Sequence, residues 1–457
     1  MKFLRSLIIS ALFLFIAQAR TETSYLSDLE NYAFKQTKTN SLIIQYKGKI
    51  IFQKYSDQWT ADKPHLLWSM SKSIINQLIG IAVYEGRLTL EESICVKLPE
   101  LKESPYCKIT IDNLLSFASG LKWNEAYEES ITESSPISML YGKNPNGMAA
   151  FILAEPHTVA QTPGSQAMYS SGDSVILSKI LQRTYSTTEY ATLPWKKWAK
   201  KIGISSLVFE QDRSGNFVGS SSAYLTAQDT LKWGQFLLNN GAIGNSQILP
   251  KWWMSHSTEI TPAYLKGRMI TSPEDRMSRQ WWINRSVPSL NADKAWGNAP
   301  EDTYAASGHW GQRLIVIPSE DMIIVRYGED KEEGTFKTNT LLRLARQLAQ
   351  NRTLPDIDTS EANAHLVTEH YDPGLSYGGW PKKLAEIKLF GAYKAKEYCS
   401  CFYVMKQTAE YCKEFVKNKA VPGFLAPLRH NEKQKEVGVN SHTARFISEQ
   451  YGCKLIN

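Results

Sequence analysis

Two strand-forming runs, one near each end of the first 350 residues, do most to limit what this chain can fold into. "SLIIQYKGKIIFQKY" (41–55) is a pair of β-rich stretches around Lys47 and Gly48 and reads as a hairpin. "AASGHWGQRLIVIPSEDMIIVRYG" (305–328) returns to strands, with "PSED" as the turn between the last two. The interval is mostly helical. "SMSKSIINQLIGIAVYEGRL" (69–88) spaces its apolar residues for a largely buried helix that Gly86 terminates. "TIDNLLSFASGL" (110–121) predicts a second, short helix with Thr110 as cap and Gly120 past its end. Polar, Ser-rich and helical stretches alternate to about 260, and "TFKTNTLLRLARQLAQN" (335–351) is a closing helix. Hairpin and helix first, strands and helix last, imply an α+β domain whose antiparallel sheet is built from both chain ends.

The 457 residues, 42% hydrophobic and 21% charged, are ordinary globular composition, which excludes disordered and fibrous classes. A formal charge of +7, spread along the chain, gives no basis for a nucleic-acid partner. "MKFLRSLIISALFLFIAQA" (1–19) sets Lys2 and Arg5 ahead of an apolar run from Leu7 to Ile16, then Ala17-Gln18-Ala19. That run is too short for a bilayer and reads as a cleaved signal peptide, so the expectation is a periplasmic or secreted protein with no membrane anchor after cleavage.

An oxidising compartment suits disulfides. Cys95 and Cys107 flank one Pro-containing loop and are favoured as a pair, whereas Cys399, Cys401, Cys412 and Cys453 suggest two staples whose connectivity stays open. "CSC" is not CxxC and lacks a nearby histidine pair, so zinc is disfavoured. Turn-rich "NRTLPDIDTSEANAH" (351–365) and "DPGLSYGGWPKK" (372–383) mark a linker over 351–384. The expected organisation is therefore a domain over 20–350, the linker, and a small cysteine-bearing module over 385–457.

Chemistry is concentrated in "WSMSKS" (68–73). In a helix that begins near Ser69, Ser69 and Lys72 lie on one face while Ser71 and Ser73 project elsewhere. A serine hydroxyl needs a neighbouring base to become a nucleophile, and a lysine kept neutral by its surroundings can serve. A helix start also offers N–H groups and a positive dipole end to a developing oxyanion. Alone the spacing is weak, because Ser69 could simply cap the helix. Two further stretches add weight: "PGSQAMYSSGDSVILSKIL" (163–181), with a tyrosine and small polar residues before an apolar helix, and "SGHWGQRLIVIP" (307–318), where Gly308 and Gly311 allow close backbone approach to a ligand. Tyr169 alone is most often a packed tyrosine and His309 alone a strand-end histidine; their value lies in conjunction and order.

Ser69-Met-Ser-Lys72, then Tyr169-Ser-Ser171, then His309-Trp-Gly311 resembles the motif order of the serine β-lactamase and penicillin-binding superfamily. "HLLWSMSKS", "LLSFASGLKWNEAYEE", "YSSGDS" and "GHWGQRLIVIPSEDMIIVRYG" are similar to class C β-lactamase-related hydrolases, especially the 6-aminohexanoate-dimer hydrolase and esterase branch, over roughly residues 25–350. The resemblance implies a β-lactamase-like α+β fold and an acyl-enzyme formed on Ser69. Lys72 and Tyr169 would share the proton work, with Tyr169 as the base. The N–H groups of Ser69 and Gln312 would make the oxyanion hole, and Ser171, His309, Trp310 and Gly311 would bind substrate. No cofactor is implied.

Two departures bear on specificity. His309 stands where class C β-lactamases carry lysine, so the permanent cation facing a substrate carboxylate is lost, which argues against efficient β-lactam turnover. Ser171 stands where Asn is common, which weakens amide recognition. The resulting expectation is an exported serine hydrolase acting on an ester or amide of a small substrate. The alternatives are a β-lactamase or D-amino-acid-specific peptidase working on cell-wall material, and a non-catalytic penicillin-binding or interaction protein. No "SDN", no HExxH or other ligand-spaced histidine pair, and no phosphate loop occur, so neither the class A variant nor a metal site is expected. "RQWWINR" (279–285) is a candidate cleft lining beside Trp310. Oligomeric state stays open.

Overall fold

The computed structural model describes residues 24–127, 131–332, 334–368, 373–375, 381–417 and 421–456. The expected signal peptide, 1–19, lies outside the described residues. The hairpin forms as read: β1 (Thr39–Tyr46) and β2 (Lys49–Tyr55) join through Lys47 and Gly48, both at positive φ, as a tight right-twisting hairpin needs. The far end of the domain supplies β3 (Trp282–Ile283), β4 (Tyr304–Gly308), β5 (Gln312–Ile317) and β6 (Met322–Gly328). They assemble as one antiparallel sheet in the order β3-β4-β5-β6-β1-β2, so both chain ends meet where β6 pairs with β1.

Register sorts the side chains. Ile43, Val325 and Leu314 stand in one cross-strand row, and Ile44, Ile324 and Ile315 in the next. Alternate residues face opposite sides of a sheet. The first row packs on α1 (Met70–Tyr84), α2 (Ser171–Thr184) and α3 (Ala227–Leu238), and the second on α4 (Thr338–Gln350) and Leu29 and Tyr32 of the N-terminal helical segment. Both faces are therefore covered, which is why "LIVI" and "MIIV" run apolar without alternation.

The second helix is shorter than its sequence suggests. Thr110 caps it as expected, in a reciprocal capping box with Asn113, but it spans only Ile111–Leu115. Phe117 takes φ 54°, and the chain breaks away well before Gly120. At Gly120, φ is 75° and a Cβ would lie 2.2 Å from the Gln161 carbonyl, so this glycine serves a loop-to-loop contact and not the helix end.

Residues 382–456 form α5 (Lys382–Tyr403), α6 (Ala409–Phe415) and a four-stranded antiparallel sheet of β7 (Leu428–Asn431), β8 (Glu436–Val439), β9 (His442–Ser448) and β10 (Gly452–Leu455). Cys399 bonds Cys453 and Cys401 bonds Cys412, which settles the open connectivity, and Cys95 pairs with Cys107. This segment shares one apolar core with Trp59, Leu66, Val208 and Tyr224 of the preceding domain. Beside it Lys396 is buried between Glu210 (2.5 Å) and Glu397 (3.1 Å), and the Ser400 and Tyr141 hydroxyls donate to the two carboxylates. Residues 351–368, the first part of the turn-rich stretch, run along the domain surface, held by Asn339 Nδ2 to the Ile357 carbonyl (2.7 Å), Thr359 Oγ1 to the Lys294 carbonyl (2.8 Å) and buried Leu366.

Candidate active site

Ser69 sits at the start of α1 because Trp68, at φ 48°, turns the chain sharply between the two-residue strand His65–Leu66 and the helix. Its side chain caps nothing in the helix. The neighbouring serines are fully buried and committed: Ser71 Oγ accepts from the Ala223 N–H (3.1 Å), and Ser73 Oγ donates to the Gln280 carbonyl (2.7 Å). Of the three, only Ser69 is partly open to solvent.

Lys72 lies one turn on, with no solvent exposure. Its Nζ donates to Ser69 Oγ (2.9 Å), Ser171 Oγ (3.0 Å) and the Ser220 carbonyl (3.0 Å). Burial holds its pKa down at about 8, against a smaller opposing pull from the Glu125 carboxylate. The Tyr169 hydroxyl lies next to Ser69, and Lys72 Nζ stands 4.9 Å from the Tyr169 ring centre. Desolvation, reinforced by the Glu125 charge, pushes the Tyr169 phenol well above its ordinary value, so it is neutral at pH 7.

Glu125 ties these groups together and had no role in the sequence reading. Its carboxylate accepts from the Ser171 backbone N–H (2.8 Å), Ser171 Oγ (2.5 Å), the Tyr127 hydroxyl (2.6 Å) and the Trp123 indole N–H. Lys72, Ser171 and Glu125 thus form a continuous polar chain. The alternation Trp123-x-Glu125-x-Tyr127 in "KWNEAYEE" is an extended-chain pattern that sends all three side chains to one side, and it was the available signal.

The third motif arrives on the end of β4. Gly308 approaches the chain just before Ser69 so closely that a Cβ would lie 2.2 Å from the Leu67 carbonyl, and a Cβ on Gly311, at φ 83°, would lie 2.1 Å from the Arg326 guanidinium. These glycines therefore admit protein groups close to their backbone. His309 stacks on Tyr127 (ring centres 5.3 Å) and meets the Trp68 ring edge-on (5.9 Å), and Trp310 meets Trp68 at 5.4 Å. Gln312 keeps its side chain out of the cleft: Nε2 donates to the Gly328 carbonyl (2.6 Å) and Oε1 accepts from the Gly328 N–H (3.0 Å), which fixes the start of β5. Trp281 of "RQWWINR" is a core residue, whereas half-buried Trp282 lies beside Tyr169 (5.4 Å). Ser69, Lys72, Tyr169, Ser171, His309 and Trp310 are thus gathered at one place, with Glu125, Tyr127 and Trp68 added. Among the described residues no three His, Cys, Asp or Glu side chains converge to hold a metal ion.

An antiparallel sheet built from both ends of the domain, helices on each face and a Ser-x-x-Lys helix start beside the end of β4 define a β-lactamase-like α+β hydrolase. The Beta-lactamase family model matches residues 33–349, and the chain belongs to that family. It is 23% identical over 336 residues to the 6-aminohexanoate-dimer hydrolase of Paenarthrobacter ureafaciens, covering 71% of this chain and 82% of that protein. Among solved structures, the fold is similar to EstCE1, a hydrolase with promiscuous acyltransferase activity (TM-score 0.57, 15% identity, 73% of this chain and 99% of that one). It is also similar to the D-alanine carboxypeptidase AmpC of Burkholderia cenocepacia (TM-score 0.50, 16% identity, 74% and 99%).

Proposed function

We propose that this protein is a serine hydrolase that cleaves an ester or amide of a small substrate through an acyl-Ser69 intermediate. The observation that carries the reading is a buried lysine of depressed pKa with its Nζ 2.9 Å from the Ser69 hydroxyl oxygen. At pH 7 about one Lys72 in ten is then neutral, which is enough to accept the Ser69 proton as Oγ attacks the carbonyl carbon. Tyr169, neutral and next to Ser69, is better suited to relay that proton to the departing alcohol or amine, and we assign it that role in place of the first base. Water then attacks the acyl ester by the reverse route and frees Ser69. The N–H groups of Ser69 and Gln312 hold the oxyanion.

His309, Trp310, Trp68 and Tyr127 make an aromatic wall with no lysine in the third motif, which favours an uncharged acyl portion over a β-lactam carboxylate. Three disulfides favour an oxidising compartment, in keeping with a periplasmic or secreted location.

The test is labelling with a fluorophosphonate and, separately, a fluorescent penicillin, located by peptide mass spectrometry with Ser69→Ala as control. Fluorophosphonate on Ser69 with neither stable nor hydrolysed penicillin is the expected result. Stable penicillin acylation without ester turnover would establish the binding-protein alternative, and labelling absent or on Ser71 or Ser73 would overturn the reading.

A further inference from the structure

The family model ends at residue 349, yet the stapled segment beyond it reaches the third motif. Trp310 adopts φ 58°, ψ 28°, a left-handed conformation that a bulky residue holds only when its surroundings impose it. Three contacts do so. Its ring meets Trp68 edge-on at 5.4 Å, it meets Phe415 of α6 edge-on at 5.4 Å, and Lys331 Nζ stands 4.9 Å from its ring centre. Lys331, three residues past β6, also donates to the Glu414 (3.1 Å) and Phe415 (2.8 Å) carbonyls, binding the end of α6 to the hydrolase body. Thr408 caps α6, and Cys401–Cys412 ties it to α5. Phe415 is 4% exposed, and Trp59, Trp68, Trp310, Met405 and Phe415 line one small pocket, so a shorter side chain at 415 removes one wall of the indole's seat.

We infer that the C-terminal segment is a working part of the catalytic centre, with Phe415 as a positioning residue that holds Trp310 against Trp68. Through Trp310 it sets the Gly311–Gln312 backbone, whose N–H is the second oxyanion donor. This rests on the hydrolase reading above. An oxyanion donor acts on the transition state and not on the bound substrate, so its misplacement lowers kcat and leaves KM nearly unchanged.

The experiment compares Phe415→Ala and Phe415→Leu with Val437→Ala in the full-length protein. Val437 is equally buried in the same core, on β8, and serves as the stability control. Each variant is assayed for kcat and KM on a p-nitrophenyl ester, for the rate of fluorophosphonate labelling at Ser69, and for thermal stability. Phe415→Ala should lose about 10- to 100-fold in kcat and in labelling rate with KM within about twofold, because loss of a whole oxyanion donor costs about 10²–10³. Phe415→Leu, which keeps apolar bulk but lacks the ring edge, should show a smaller loss of the same kind, and Val437→Ala should melt earlier with kcat intact. Equal kcat in Phe415→Ala and Val437→Ala, or a change confined to KM, overturns the inference. If wild-type Ser69 takes no label, the hydrolase reading itself fails, and the two failures are distinguished by that control.

Discussion

Replacing Glu125 by Gln tests the electrostatics of the site most directly. Lys72 Nζ lies 3.0 Å from Ser171 Oγ, which lies 2.5 Å from Glu125 Oε1. The two charges are therefore at most about 5.5 Å apart, and at an effective dielectric constant of about 20 their attraction is about 3 kcal/mol, equivalent to about two pKa units. Without the carboxylate, the Lys72 pKa should fall from about 8 toward roughly 6. On the proposed mechanism neutral Lys72 is the active form, so kcat/KM should rise with pH through this pKa. The assay is kcat/KM for a p-nitrophenyl ester from pH 5 to 10. Wild type should show an acid limb near 8, and Glu125→Gln should show it one to two pH units lower, with a reduced plateau because a weaker base draws the proton less strongly. Four donors converge on Glu125, and an amide cannot accept from all of them, so stability should also fall by about 1–3 kcal/mol, read from a thermal melt. A limb that stays in place would refute the coupling of Glu125 to Lys72. A wild-type profile still rising at pH 10 without a plateau would identify Tyr169 as the titrating base instead.

Three further outcomes are expected. Gly308→Ala drives a Cβ against the Leu67 carbonyl, so it should cost about 1–3 kcal/mol in a thermal melt and at least about tenfold in kcat/KM, since the displaced chain leads straight to Ser69. Asp173, buried beside the second motif and hydrogen-bonded by the Ser119 hydroxyl, has its pKa raised to about 7 by burial. Its folded pKa exceeds the unfolded value, so its contribution to stability is full below about pH 4 and is lost as pH rises through 7; the melting temperature of Asp173→Asn should decline less than that of wild type between pH 5 and 8. Lys396→Met leaves Glu210 and Glu397 buried without their cation and should destabilise the fold by about 3–5 kcal/mol, with partial recovery on adding Glu210→Leu.

Much of the fold was legible because its signals are local. The Lys47-Gly48 turn, the Thr110 cap and the apolar runs of β5 and β6 each depend on neighbours in sequence, and they form where periodicity and turn chemistry put them. The second helix misled because "SFAS" carries no helix-ending residue before Gly120; the chain leaves the helix at Ser116 to pack Phe117 against Tyr169 (ring centres 5.0 Å), a contact 52 residues away. Glu125 went unassigned for a related reason. A carboxylate in "KWNEAYEE" looks like a solvated one until the fold brings the Ser171 hydroxyl and N–H onto it.

The amino-acid sequence by itself determined that a two-ended antiparallel sheet would form and which serine and lysine would share a helix face, because a period of two residues or one helical turn is a property of the backbone. Tertiary structure alone decided the surroundings of Lys72 and Tyr169 and the contact of the last seventy residues with the third motif. Lys72 is buried against Ser220 and Ser171, which lowers its pKa, and Trp310 meets Phe415 from across the chain. Desolvation and long-range packing depend on what surrounds a side chain in space, and the order of residues does not state that surrounding.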